Sequence, residues 1–234
     1  MTTASQPLAV RLRSGDVVRL RQVRPQDAPA LARAYANLSS QSRYQRFFTP
    51  APELSETMLM HATEVDHENH EALVAVPLLS SEIVGECRFV RLADRPDTAD
   101  LAVTVVDAWQ GRGVGSALLA RLSERALEAG IEYFTAEVLA ENRTMLAMLP
   151  SLGQVETSSH GPVVSARIEI GEPPQLARQE LMDLLAAAAR AEIVVLPAPL
   201  RRLVRVPGEL AHVVRLPVTA LLGALRTGET GGRR

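Results

Sequence analysis

The run "DAWQGRGVGS", residues 107–116, sets Gly111, Gly113 and Gly115 at alternate positions directly ahead of the helical pattern "ALLARLSERALEAG". The first turn of a helix has N–H groups without intrahelical partners and carries the positive end of the helix dipole. Stripping side chains from that turn lets a phosphate approach the donors closely. The chemistry on offer is anion binding by bare backbone. Two familiar phosphate loops fit poorly. A Walker loop needs Gly-Lys-Ser/Thr, and this chain has no lysine, all 25 of its basic residues being arginine. A dinucleotide fingerprint needs G-x-G-x-x-G behind a first strand, whereas here G-x-G-x-G follows four earlier segments.

A second cluster of reactive types, "HATEVDHENHE", brings His61, His67 and His70 together with Glu64, Asp66, Glu68 and Glu71. These are metal-ligating types. Zinc sites, however, need ligands converging from defined elements, and His67 and His70 fall in an acidic loop ahead of a strand, so no metal is expected. The same acids could draw in a cationic amine, although a charge cluster is most often a solvated face. Cys87, the single cysteine, sits in an apolar alternating run and reads as a buried, inert thiol, which excludes a disulfide framework.

These residues need elements to hold them. The chain has 234 residues, 47% hydrophobic and 22% charged, enough for one sizeable core plus an extension. Alternating apolar segments predict strands over 17–22, 71–79, 82–92, 99–106, 132–138 and 162–170. Helical periodicity marks 25–38, 55–64, 113–129 and 141–150. "SS" at 80–81 reads as a hairpin turn, and "RPDT" at 95–98 as the turn into the next strand. The order is mixed α/β. The N-terminus has no apolar stretch of signal-peptide length and no run approaches a membrane span, so a cytoplasmic protein is expected. The net charge of −2 is unevenly spread: residues 193–234 hold seven Arg and two Glu, and the remainder 18 Arg and 25 acids.

The pattern Gln110-Gly111-Arg112-Gly113-Val114-Gly115, entered from the strand "LAVTVV" and leading into an amphipathic helix, resembles the acetyl-CoA signature of the GNAT N-acetyltransferase superfamily. "VLAENRTMLAMLPSLG" is similar to that family's second conserved segment, with Asn142 opening a helix beside the cofactor. "VRPQD" matches its first strand-to-helix junction. Within the superfamily, "LSSQSRYQRFFTP", "VDHENHEALVAV" and "ADLAVTVVDAWQGRGVGS" look like the acetyltransferase domain of bacterial Pat-type protein lysine acetyltransferases.

The resemblance implies a GNAT fold of the α/β class over residues 8–171: a mixed, mostly antiparallel central sheet flanked by helices. Residues 172–234 would form a C-terminal helical, basic extension that could bind a partner. Backbone groups of Val103, Thr104 and Val105 would pair with the pantetheine arm of acetyl-CoA. N–H groups of Gly111, Arg112, Gly113, Val114, Gly115 and Ser116 would hold its diphosphate, with Gln110 in the same loop and a possible added charge from Arg112. Transfer to an amine needs a carboxylate base, because an ammonium cannot attack a thioester. Where the Pat-type pattern has Glu, this chain has Asp100, one methylene shorter, which puts catalysis in doubt but not cofactor binding. No residue stands out as a general acid for the leaving thiolate, with Tyr133 and Ser151 as options. The expected acceptor is a protein lysine, with a small-molecule amine open. A second reading, from a different class, is a GNAT-fold module that binds acyl-CoA and regulates a partner without useful turnover. Nothing in the pattern suggests nucleic acid.

Overall fold

The computed structural model describes residues 7–49 and 54–171. Residues 172–234, with the expected helical extension and basic tail, lie outside the described residues.

In chain order the elements are strands β1 (Leu8–Arg11) and β2 (Val17–Gln22), helices α1 (Ala28–Ala36), α2 (Ser40–Phe47) and α3 (Glu56–Thr63), and strands β3 (His70–Pro77), β4 (Gly85–Leu92) and β5 (Arg95–Val105). Then come helix α4 (Val114–Glu128), strand β6 (Tyr133–Leu139), helix α5 (Arg143–Met148) and strands β7 (Gly153–His160) and β8 (Val163–Ile170). The eight strands form one sheet in the order β1-β2-β3-β4-β5-β6-β8-β7, and every neighbouring pair is antiparallel except β5 with β6.

A sheet covered on both faces needs strands that are apolar on both sides, and β3 shows it in the buried run from Ala72 to Val76. Leu73 and Ala75 face one core, where Leu118, Leu119 and Leu122 of α4 pack on Leu20, Cys87, Phe89, Phe134 and Ile168. Ala72, Val74 and Val76 face the other, closed by Leu31 and Tyr35 of α1. The i, i+4 recurrence of Leu118 and Leu122 on α4 is the stripe that buries. Helix α4 crosses β4 so closely that a Cβ on Gly85 would stand 2.9 Å from Val114 Cγ1 and 3.0 Å from Leu118 Cδ1. Among the described residues no helix is long and apolar enough to cross a membrane.

The structure departs from the sequence expectations at five places. Helix α2 falls in "LSSQSRYQRFFTP", a stretch with no helix expected, and neither β1 nor β7 is among the expected strands. "RPDT" lies inside β5; the turn is at residues 93–94, and the register slips between Arg91 and Leu92, which accommodates Pro96 near the strand start. "SS" is not a two-residue hairpin turn either, because residues 78–84 all lie between β3 and β4, with Leu79 100% exposed.

Candidate active site

Parallel pairing of β5 with β6 covers three positions only, Thr98↔Tyr133, Ala99↔Phe134 and Asp100↔Thr135. Beyond them β5 stays on β4 as far as Val105↔Gly85, while β6 stays on β8 as far as Leu139↔Val163. The two strands therefore part, and their facing edges run on without a ladder. An open strand edge offers unpaired N–H and C=O groups to any extended ligand. The opening is a cleft of ≈ 790 Å³ with residues 100–105 on one side and 135–138 on the other.

At the far end of β5 the chain makes a short 3-10 turn, Asp107–Trp109, and enters the glycine loop. Gly111 (φ 71°) and Gly113 (φ 98°) adopt left-handed backbone, which a side chain resists. Gly113 is the N-cap of α4 and makes no side-chain cap. The first-turn N–H groups of Val114, Gly115 and Ser116 are thus left to a ligand or water. Gly115 does a different job: it is buried, with Met148 of α5 lying 3.5 Å from where its Cβ would be.

Gln110 ties this loop down, its Nε2 donating to the Val105 carbonyl (3.0 Å) and to Ser42 Oγ (3.1 Å). Asn142 caps α5, its Oδ1 accepting from the Met145 N–H at 3.1 Å. Val103, Thr104, Val105, Gln110, Gly111, Gly113, Val114, Gly115, Ser116 and Asn142 all line the cleft, as does Asp100. Arg112 is set apart from these: its guanidinium lies over the Trp109 ring at 4.9 Å and donates to Asp16 Oδ2 at 3.2 Å. Trp109 packs half-buried against the α4 core, as a residue supporting the loop.

Asp100 stands at the last paired position before the strands part, exposed, accepting a hydrogen bond from Thr135 Oγ1. Tyr133 and Ser151 do not line the cleft. The Tyr133 ring sits under Arg167 at 4.0 Å, and the Ser151 hydroxyl donates to the Met148 carbonyl at 2.6 Å.

The opposite wall comes from α2, through Gln41, Ser42, Gln45 and Arg46, with Phe48 just beyond it. Asp107 holds that helix in place. Its carboxylate accepts from the Ser39 N–H (2.9 Å), Ser39 Oγ (2.7 Å) and Ser42 Oγ (2.9 Å). Desolvation pushes the Asp107 pKa upward, but the hydrogen bonds from Ser39 and Ser42 outweigh it and hold the group below the usual carboxylate range. Phe48 closes α2 at φ 58°, an outlying conformation for an aromatic residue.

Behind this wall lies an ionic cluster absent from the sequence reading. The β4–β5 register pairs Glu86 with Thr104, Arg88 with Ala102 and Val90 with Asp100, so Glu86 and Arg88 share the sheet face of Asp100, Ala102 and Thr104. Glu86, 2% exposed, accepts from Tyr35 Oη (2.9 Å) and Arg88 Nε (2.5 Å). Arg88 also reaches the Ala62 carbonyl and His70 Nε2, each at 3.2 Å. Burial first, and the Glu86 charge second, raise the Tyr35 phenol above its ordinary pKa, while burial and then Arg88 depress that of His70. The available signal was the Glu-x-Arg of "GECRF", two charges on one face of an otherwise apolar strand.

Two members of the acidic cluster, Glu71 and Asp66, hold structure together. Glu71 is fully buried, taking hydrogen bonds from Gln22 Nε2 (2.9 Å) and Arg125 Nε (3.0 Å) beside His67 Nδ1 (2.6 Å). Asp66 caps its own loop through the N–H groups of residues 68, 69 and 70. Neither lines the cleft. Among the described residues no group of three or more His, Cys, Asp or Glu is placed to hold a metal ion.

A strand parting from its parallel neighbour above a glycine-opened helix is the arrangement of the GNAT fold, and residues 18–155 match the acetyltransferase (GNAT) domain family. The chain belongs to that family. It is 30% identical over 185 residues to the acetyltransferase Pat of Mycolicibacterium smegmatis, covering 79% of this chain and 55% of that protein, so it spans about half the length of that relative. The GNAT domain of Streptomyces lividans PAT superposes with a TM-score of 0.65 at 34% identity, covering 70% of this chain and 97% of that domain. A Salmonella typhimurium acetyltransferase with its cofactor acetyl-CoA shares the fold at TM-score 0.55 and 18% identity, over 66% of this chain and 95% of that one.

Proposed function

We propose that this chain transfers the acetyl group of acetyl-CoA to a primary amine by direct attack within a ternary complex, and that a protein lysine is the principal acceptor. The observation that carries this is the parting of β5 and β6 immediately after Asp100↔Thr135, which leaves an open strand edge running to the uncapped start of α4. A pantetheine arm is an amide chain and suits such an edge, along Val103, Thr104 and Val105. A diphosphate suits bare N–H groups at the positive end of a helix. A Cβ on Gly111 would project into open space, so the positive φ, rather than crowding, reserves that position for glycine.

In this reading Asp100, at the head of the open edge, takes a proton from the acceptor ammonium directly or through one water. The freed amine attacks the thioester carbonyl; an N–C bond forms, the C–S bond breaks, and the thiolate leaves to be protonated. Thr135 fixes the Asp100 carboxylate. The lysine preference rests on the likeness to the Pat proteins, and a small-molecule amine is the alternative acceptor. The competing class, an acyl-CoA-binding module without turnover, draws on the shorter side chain at position 100.

Thiol release from acetyl-CoA, measured with a lysine-rich protein extract and a panel of small amines, tests the proposal alongside calorimetric binding. Release that depends on the acceptor supports it. Binding of acetyl-CoA with no release under any acceptor favours the module, and absence of binding ends both readings.

A further inference from the structure

The diphosphate reading leaves one electrostatic need open, since a diphosphate carries formal charge and the cradle offers only backbone dipoles. Arg112, in the loop itself, is turned away onto Trp109 and Asp16. Of the arginines that line the cleft, Arg13, Arg46 and Arg143, Arg13 is the one set against Gly113. Arg13, in the turn between β1 and β2, lines the cleft, and its N and Cγ lie 3.6 and 3.8 Å from where a Cβ on Gly113 would stand. Among the described residues its guanidinium has no carboxylate partner.

The turn is fixed independently of any ligand. Leu12 is buried in the α4 core, the Leu12 N–H donates to the Asp16 carbonyl (2.8 Å), and the Gly15 N–H to the Leu12 carbonyl (2.9 Å). Ser14 Oγ donates to Asp16 Oδ2 at 2.7 Å, the same oxygen that receives Arg112. These hydrogen bonds, Ser14 first and Arg112 second, keep Asp16 ionised below the usual range. The contact between residues 16 and 112 therefore hooks the turn to the glycine loop and brings Arg13 over the helix start.

We propose that Arg13 is the cation that meets the diphosphate of acetyl-CoA, and that Arg112 acts one step back, as a positioning residue that holds the Arg13 turn through Asp16. The assignment rests on the acetyl-CoA reading above. A planar guanidinium can grip two phosphate oxygens at once, adding charge where the α4 dipole already favours an anion. Arg13 is exposed, so its removal leaves the core untouched.

The test is binding by the full chain of three ligands: acetyl-CoA, its 3′-dephospho form and S-acetyl-pantetheine, the last followed by ligand-observed NMR. Arg13→Ala is expected to weaken both diphosphate ligands by about tenfold, the scale of one hydrogen bond to a charged group, and to leave S-acetyl-pantetheine unchanged. The salt dependence of acetyl-CoA binding should flatten in the same variant. Arg112→Ala should weaken the diphosphate ligands less, and adding it to Arg13→Ala should cost little more, because the two act through one contact. Arg13→Lys should retain part of the affinity. A wild-type protein that binds acetyl-CoA, with a folded Arg13→Ala variant that binds it equally, overturns this assignment alone. Equal losses for all three ligands also overturn it, as would additive losses for the Arg112 role. Wild-type protein that binds no acetyl-CoA overturns the functional reading and this one together.

Discussion

The two walls of the cleft are built on opposite principles. On the α4 side the structure works through what is missing: left-handed glycines, a helix start without a capping side chain, and a strand edge without a partner. On the α2 side it works through side chains joined across long sequence distances, Ser39 and Ser42 to Asp107, and Tyr35 to Glu86. A wall made of backbone tolerates most side-chain changes but not an added Cβ. A wall made of buried hydrogen bonds should fail when one partner is removed.

The largest effect expected falls at the point where the walls meet. Asp100→Asn keeps the shape but cannot accept a proton, and should lower acetyl transfer by about 10²–10⁴-fold while calorimetry shows unchanged acetyl-CoA affinity. Equal turnover in the two proteins would remove Asp100 from the mechanism. Next comes Glu86→Ala, which leaves Arg88 buried without its carboxylate and should cost about 3–5 kcal/mol in urea unfolding. A midpoint within experimental error of wild type would show that the α2 side does not depend on that cluster. On the backbone wall, Gly113→Val places a β-branched residue at φ 98°, with strain of about 1–3 kcal/mol that the loop would relieve by turning its N–H groups. Acetyl-CoA affinity should drop at least about tenfold, and unchanged affinity would sink the cradle assignment.

The smallest effect concerns pH. The folded-state pKa of Asp107 lies below its unfolded value, so its contribution to stability is complete above the ordinary aspartate range and is lost as pH falls through the lowered folded value. Asp107→Asn should flatten the acid side of the stability curve by well under about 1 kcal/mol, because solvent screens a carboxylate this exposed, and raise the acceptor KM as α2 loosens. Identical acid limbs in the two proteins would show that Ser39 and Ser42 do not bind the ionised form preferentially.

The same contrast explains which parts of the molecule were readable from the sequence. The glycine loop and the start of α4 were legible because glycines at fixed spacing before an amphipathic helix are a local signal, and β2 falls at its predicted bounds of 17–22 because alternation there is unbroken. Helix α2 was not readable: "SQSRYQRF" has no fully buried residue, and the helix depends on a Ser39 cap and on Asp107, 68 positions away from Ser39. Strand β7 is a polar sheet edge, so it lacks the apolar alternation that marks its neighbour β8. Pro96 misled because proline reads as a turn, whereas a register slip lets it sit near the start of β5. Of the acids at 64–71 only Glu71 is buried, paired with Arg125 of α4, and sequence shows its charge but not its burial. Arg112 shows in the sequence as a charge in the loop, whereas its pairing with Asp16, 96 positions away, does not.

Cys87 lies fully buried beneath α4, its Sγ 3.5 Å from the Leu118 carbonyl, and burial raises its pKa well above that of a free thiol. It is the chain's single sulfhydryl. A chromogenic disulfide reagent added to a reaction mixture would therefore meet no competing thiol on the folded enzyme, so each equivalent of colour counts one coenzyme released. A slow rise in colour without acetyl donor would instead time the opening of the core itself.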